Sequence, residues 1–283
     1  MTSLAPGLIA GLLLLGCFTG FAAGLLGIGG GMLLVPFLTM MFTAQGFSLQ
    51  HVVHMAVATS LTTILFTSMS SVRAHHQRGA VRWDLVRRMG PSALIGTLVG
   101  ASFAARLSTG WLALLFALFV GHSALQMLRT KRATAGVGPE TARPPQTPSS
   151  AQLLCVGGLI GAVSSLVGAG GGFITVPYLS SRGIDMHKAV ASSAAMGFPI
   201  ALGGLLGYIG AGWNQTGLPP LALGYIYLPA LVGVAATSVL FAPLGARTAH
   251  ALNVGQLKRV FAILLLTLAS YMLWKAARSF GLW

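Results

Sequence analysis

The chain has 283 residues, of which 55% are hydrophobic and only 7% charged, with a mean hydropathy of +0.81 and a formal net charge of +14. A soluble domain carries about a quarter charged residues because its surface must be solvated, so an ordinary soluble fold is excluded. A strongly basic balance is one footprint of nucleic-acid binding. Here, however, the cations cluster between apolar segments, as positive-inside loops do, and no nucleic-acid partner is expected.

No Lys, Arg, Asp or Glu precedes Arg73. A signal peptide needs a basic n-region, so the first apolar segment is expected to be retained. Apolar stretches run over residues 7–27, 31–44, 51–72, 89–105 and 111–128, then 151–168, 171–180, 189–209, 221–244 and 257–274. A helix needs about 20 residues to cross hydrocarbon. The stretches at 31–44 and 171–180 are too short, and each follows a glycine cluster, so both are read as parts of broken or re-entrant helices. Residues 130–150 carry Lys131, Arg132, Glu140, Arg143 and four prolines, a polar linker that buries no core. It separates a first transmembrane repeat (residues 1–129) from a second (151–283). Cys17 and Cys155 lie inside apolar segments and are assigned a packing role.

The halves repeat. Gly20–Leu38 reads GFAAGLLGIGGGMLLVPFL and Gly161–Leu179 reads GAVSSLVGAGGGFITVPYL, identical at nine of nineteen positions at an offset of 141. Farther on, His54–Ser60 (HMAVATS) matches His187–Ser193 (HKAVASS) at an offset of 133. Charge orients them oppositely. The loop after the 51–72 segment holds Arg73, Arg78, Arg82, Arg87 and Arg88 against Asp84, whereas its counterpart, Gly210–Pro220, is uncharged. The first loop and the linker therefore read as cytoplasmic and the second loop as external. The expected fold is an all-α polytopic membrane protein of two inverted repeats, as in many secondary transporters.

Two clusters carry the strongest signal: Gly27, Gly29, Gly30 and Gly31, and Gly168, Gly170, Gly171 and Gly172. Consecutive glycines release the backbone from helical geometry, and in lipid that is tolerable only beside protein or a wet cavity. The short helix after each cluster points free N–H groups and its positive end into the break, which suits an anion. Valine at Gly30 or Gly171 is expected to abolish binding while sparing insertion. Gly20, Gly24, Gly157, Gly158 and Gly161 read as close-packing residues, with Gly157→Ala expected to be mild. Thr59, Ser60, Ser192 and Ser193 form a duplicated hydroxyl set able to donate to an oxyanion. His54 and His187 are possible protonatable groups, though interfacial positions suit them better. No acid or cysteine completes a metal shell around His51 and His54, and no nucleophile–base pair appears. No metal, cofactor or enzymatic activity is expected, and Asp185 reads as the cap of the helix that follows it.

The paired Gly-x-Gly-Gly-Gly…Pro elements and the Ala-Val-Ala-Thr/Ser-Ser segments resemble the sulfite exporter TauE/SafE family of membrane permeases over nearly the whole chain outside the linker. That resemblance implies an inner-membrane transporter of sulfite, a sulfonate or another small organosulfur anion. Its partners would be that substrate and the surrounding lipid.

Overall fold

In the computed structural model, residues 6–26, 30–129, 149–248 and 254–282 are described; Gly27, Gly29 and linker residues 130–148 lie outside them. Among the described residues there are ten helices and one short hairpin. The first half holds α1 (Pro6–Leu26), α2 (Gly31–Ala44), α3 (Val52–Gln77), α4 (Trp83–Ala104) and α5 (Thr109–Arg129). The second holds α6 (Ser150–Val167), α7 (Gly172–Ser181), α8 (Met186–Gly212), α9 (Leu228–Thr248) and α10 (Val254–Ser279). Strands β1 (Ala222–Leu223) and β2 (Ile226–Tyr227) pair antiparallel just ahead of α9. The sequence predicts one apolar run from residue 221, but Leu221 adopts φ 67° and Gly224 φ 57°. The chain turns there before α9 begins.

Seven of the described helices are long and apolar enough to cross a membrane: α1, α3, α5, α6, α8, α9 and α10. The protein is an integral, multi-pass membrane protein. Helix α4 starts with Asp84, Arg87 and Arg88, while α2 and α7, at 14 and 10 residues, are the short segments that follow the glycine clusters. Asp185 caps α8 by accepting hydrogen bonds from the N–H groups of His187 and Lys188.

Packing exchanges elements between the halves. The most extensive contacts are α1 on α9, α4 on α6, α5 on α10 and α4 on α8, with α3 lying along α8. Each half's first helix therefore packs on the other half's fourth. Both crossings use a duplicated Gly-x-x-x-Gly ridge, Gly16/Gly20 on α1 and Gly157/Gly161 on α6. A Cβ at Gly20 would strike the backbone of Ser238, and one at Gly161 the carbonyl of Ala93 and the Thr97 amide nitrogen. On α4, Gly96 and Gly100 meet the backbone of Gly158 and Ala162 in the same way. In lipid, close packing of this kind replaces the hydrophobic effect as the glue between helices.

Helices α3 and α8 run antiparallel. The amide of Arg82, after the C-terminus of α3, donates to Ser192 near the start of α8. The amide of Tyr227, after the C-terminus of α8, donates to Thr59 near the start of α3. Of the two cysteines, Cys155 lies on an exposed face and Cys17 is half-buried; neither is disulfide-bonded.

Gly157 corrects the mild expectation for alanine there, since its added methyl would lie 2.5 Å from the carbonyl oxygen of Met89. At neighbouring Gly158 the nearest atom would be 3.7 Å away. Gly157→Ala and Gly161→Ala should each destabilise the protein by about 1–3 kcal/mol through overpacking. Gly158→Ala should change stability little, and thermal unfolding of the three variants in detergent checks the contrast.

Candidate functional site

Both glycine clusters deliver what the backbone needs to break a helix and restart it. Gly30 and Gly171, equivalent in the repeat, cap α2 and α7 with φ of 61° and 74°. Gly168 ends α6 with φ 69°. Side chains resist this left-handed region. The clusters also touch: a Cβ on Gly31 would collide with the carbonyl oxygen of Gly168 and approach Cα of Ala169 to 2.9 Å. Ser60 Oγ, from α3, donates to that Gly168 carbonyl at 2.8 Å and lies 3.5 Å from the carbonyl of Gly31. The backbones of two distant segments are thus held together by one hydroxyl.

The four sequence-predicted hydroxyls take different roles. Thr59 Oγ1 accepts the Tyr227 N–H at 3.1 Å, and Ser192 Oγ accepts the Arg82 N–H at 3.0 Å. These two residues are equivalent in the repeat, and each fastens the residue just ahead of α9 or α4. Ser60 ties the breaks. Ser193 alone is free: it is 1% exposed, and its Oγ has no hydrogen-bond partner.

Ser193 faces a cavity of about 30 Å³, room for one or two waters. The second glycine break contributes Gly170 and Gly172, α8 adds Ala194 and Gly197, and α3 adds Ile64, Thr67, Ser68 and Ser71. Ala23 and Gly24 of α1 and Ala242 of α9 complete the wall. A second orphan hydroxyl flanks the same break. Ser164 on α6 is fully buried and unpartnered, and its Oγ would lie 3.1 Å from a Cβ placed on Gly171. Sequence reasoning missed Ser164, Thr67, Ser68 and Ser71. Ser164 aligns with Ala23 in the other half, so duplication gives no signal for it, and the α3 hydroxyls lie beyond the duplicated HMAVATS segment.

The cavity wall follows α3 toward its C-terminus, reaching Ser71, two residues before Arg73. The opposite end of α3 is sealed. Tyr225 stacks on His54 at 5.3 Å, Tyr227 packs edge-on against Phe42 and Phe47, and the Tyr208 hydroxyl donates to the Ser165 carbonyl at 2.8 Å. His54 belongs to this plug. Its Nε2 donates to the carbonyls of Ala104 and Leu107 at the end of α4, both at 3.1 Å. His187, its counterpart, is exposed at the start of α8, 3.6 Å from the Asp185 carboxylate. Neither histidine lines the cavity.

The profile of the sulfite exporter TauE/SafE family matches residues 12–272. The chain belongs to that family of membrane transporters. A "Probable membrane transporter protein" of Haemophilus influenzae is 36% identical over 93% of this chain and 97% of its own length. Proteins of the same description from Methanocaldococcus jannaschii and Xylella fastidiosa (strain Temecula1) are 26% and 29% identical, over 93% and 92% of this chain and 94% and 93% of their own. No solved structure matches the chain.

Thr59 and Ser192 lie outside the cavity wall: their oxygens accept the Tyr227 and Arg82 amides, and the Ser192 hydroxyl donates to the Lys188 carbonyl at 2.6 Å. Thr59→Val leaves the Tyr227 N–H without its partner and should lower stability by about 1–3 kcal/mol. Anion affinity of the folded fraction should stay near that of the wild type. Thermal unfolding alongside calorimetric binding separates the two effects.

Proposed function

We propose that this protein is a secondary transporter of a small oxyanion, of the class of sulfite or a sulfonate, in the bacterial inner membrane. The substrate would occupy the cavity beside the second glycine break. The observation that carries this reading is the unpartnered, buried Ser193 hydroxyl on the cavity wall beside the N-terminus of α7, with Ser164, equally unpartnered, flanking the same break outside that wall. Leaving a buried donor unsatisfied costs about 1–3 kcal/mol, a cost that a bound oxyanion offsets. The free amides and positive end of α7 favour the same occupant.

In this reading the repeats are inverted and the basic α3–α4 loop and the linker are cytoplasmic, so the cavity opens inward and the aromatic plug closes the outside. A path closed at one end supports a carrier over a channel. Sequence halves that rock as rigid bodies are a poor description of the motion, because α1 packs on α9 and α4 on α6. The moving units are better drawn as exchanged assemblies that keep those crossings intact.

Two outcomes follow. Single cysteines at Arg78 and Asn214, in a background lacking Cys17 and Cys155, should react with an impermeant thiol reagent from opposite membrane faces; labelling from one face would refute the inversion. Ser193→Ala should weaken oxyanion binding about tenfold or more, since a hydrogen bond to a charged group contributes about 1.5–3 kcal/mol. The same change should leave thermal stability unchanged or slightly higher, because it removes an orphan hydroxyl. Calorimetric binding, flux in proteoliposomes and thermal unfolding measure these together, and unaltered affinity would remove Ser193 from the site. Valine at Gly30 or Gly171 is a less clean probe than the sequence suggests. A Cβ at Gly171 would lie 2.6 Å from Ile200 Cδ1, and one at Gly30 3.0 Å from the Thr19 carbonyl. Those variants should lose abundance as well as binding.

A further inference from the structure

Among the described residues, the cavity offers an anion donors but no countercharge. No described residue lining it carries a charge or an imidazole; its polar wall consists of the hydroxyls of Thr67, Ser68, Ser71 and Ser193 and the backbone at Gly170 and Gly172. Arg73, the next cation along α3, lies two residues beyond Ser71 and outside the wall. Among the described groups at the cavity, positive potential comes from helix N-termini. Gly172 opens α7 in the cavity wall, and α2 begins at Gly31 against the same break. Each terminus is worth about half an elementary charge, and the two together about one.

The cost of moving an ion out of water rises with the square of its charge, so a doubly charged oxyanion loses about four times the hydration of a singly charged one of equal size. Its attraction to the two helix ends only doubles. We infer that the site selects by charge number, accepting singly charged oxyanions, sulfonates and sulfite in its hydrogensulfite form among them, and rejecting doubly charged ones of the same shape. The wall adds to the discrimination. Ile64, Ala23, Ala194 and Ala242 give the cavity an apolar side, where a methyl group fits and a fourth charged oxygen is stranded without donors. This selection rests on the oxyanion reading of the cavity, and Ser193 supplies the ligand-directed group that the helix termini alone do not.

The test compares methanesulfonate with sulfate, two tetrahedral ions of similar size that differ by one charge. Calorimetric binding to the detergent-solubilised protein, at equal ionic strength and a pH where sulfate is fully ionised, should show methanesulfonate bound at least about tenfold more tightly. Ser71→Lys, at the half-buried end of the wall, supplies the missing countercharge and should narrow the ratio to about threefold or less. Sulfate binding as tightly as methanesulfonate in the wild type would overturn the charge rule and leave the oxyanion site standing. An unchanged ratio in a folded Ser71→Lys protein would also overturn it, by assigning the discrimination to shape. If neither ion bound, the oxyanion site itself would fall, and the selection with it.

Discussion

The structure depends on one backbone-to-backbone approach inside the membrane, where Gly31 meets the carbonyl of Gly168 and Ser60 donates to that carbonyl. Hydrocarbon offers no partner for an exposed peptide group, so a broken helix persists only where protein or water satisfies it. Here one break shields the other. The left-handed caps at Gly30 and Gly171 let α2 and α7 restart at once, and the start of α7 at Gly172 lies in the cavity wall. In the proposed function, anion affinity would follow from how the fold accommodates its own interruptions, sharpened by hydroxyls placed next to them.

A second constraint is the exchange of helices between halves. The Gly-x-x-x-Gly ridges of α1 and α6 put α1 on α9 and α6 on α4, at separations that admit no added methyl. Interfaces this close slide poorly, so they belong inside moving units and not between them. The Thr59–Tyr227 and Ser192–Arg82 hydrogen bonds repeat the exchange at either end of α3 and α8. The two latches are alike, but their surroundings are not. At the Thr59 end an aromatic plug holds His54 at 2% exposure, whereas at the Ser192 end His187 stands in the open and the cavity begins. That difference between equivalent ends is what a carrier caught on one side of its cycle would present.

Much of the fold was legible in the sequence because lipid imposes simple rules. Apolar runs of the right length, interrupted by Gly clusters and separated by basic loops, foretold α1, α2, α5, α6 and α7 to within two residues, and α3, α4, α8 and α10 short by three to six residues at one or both ends. The exception began at Leu221, where a positive φ and a short hairpin replace the first turn of the expected helix. The glycine clusters were legible as breaks, and Asp185 as a cap. The assignment of hydroxyls was not. Thr59, Ser60, Ser192 and Ser193 look interchangeable as a duplicated motif, yet Thr59, Ser60 and Ser192 each have a partner more than a hundred positions away and Ser193 has none. Whether a serine is spent on the scaffold or left for a ligand is a property of tertiary packing. Gly157 failed for the same reason: helix propensity speaks for alanine, and the carbonyl of Met89 forbids it.

The central claim is that Ser193 looks into a substrate cavity beside the second break that opens on the side of the basic loop. The most direct measurement is alkylation of a single cysteine at position 193, in a background without Cys17 and Cys155, in membrane vesicles of defined orientation. The account predicts modification by a small impermeant thiol reagent from the cytoplasmic face, slowed in proportion to occupancy when methanesulfonate is present. A thiol that reacts at the same rate with and without the anion, or that reacts only from the external face, would contradict it.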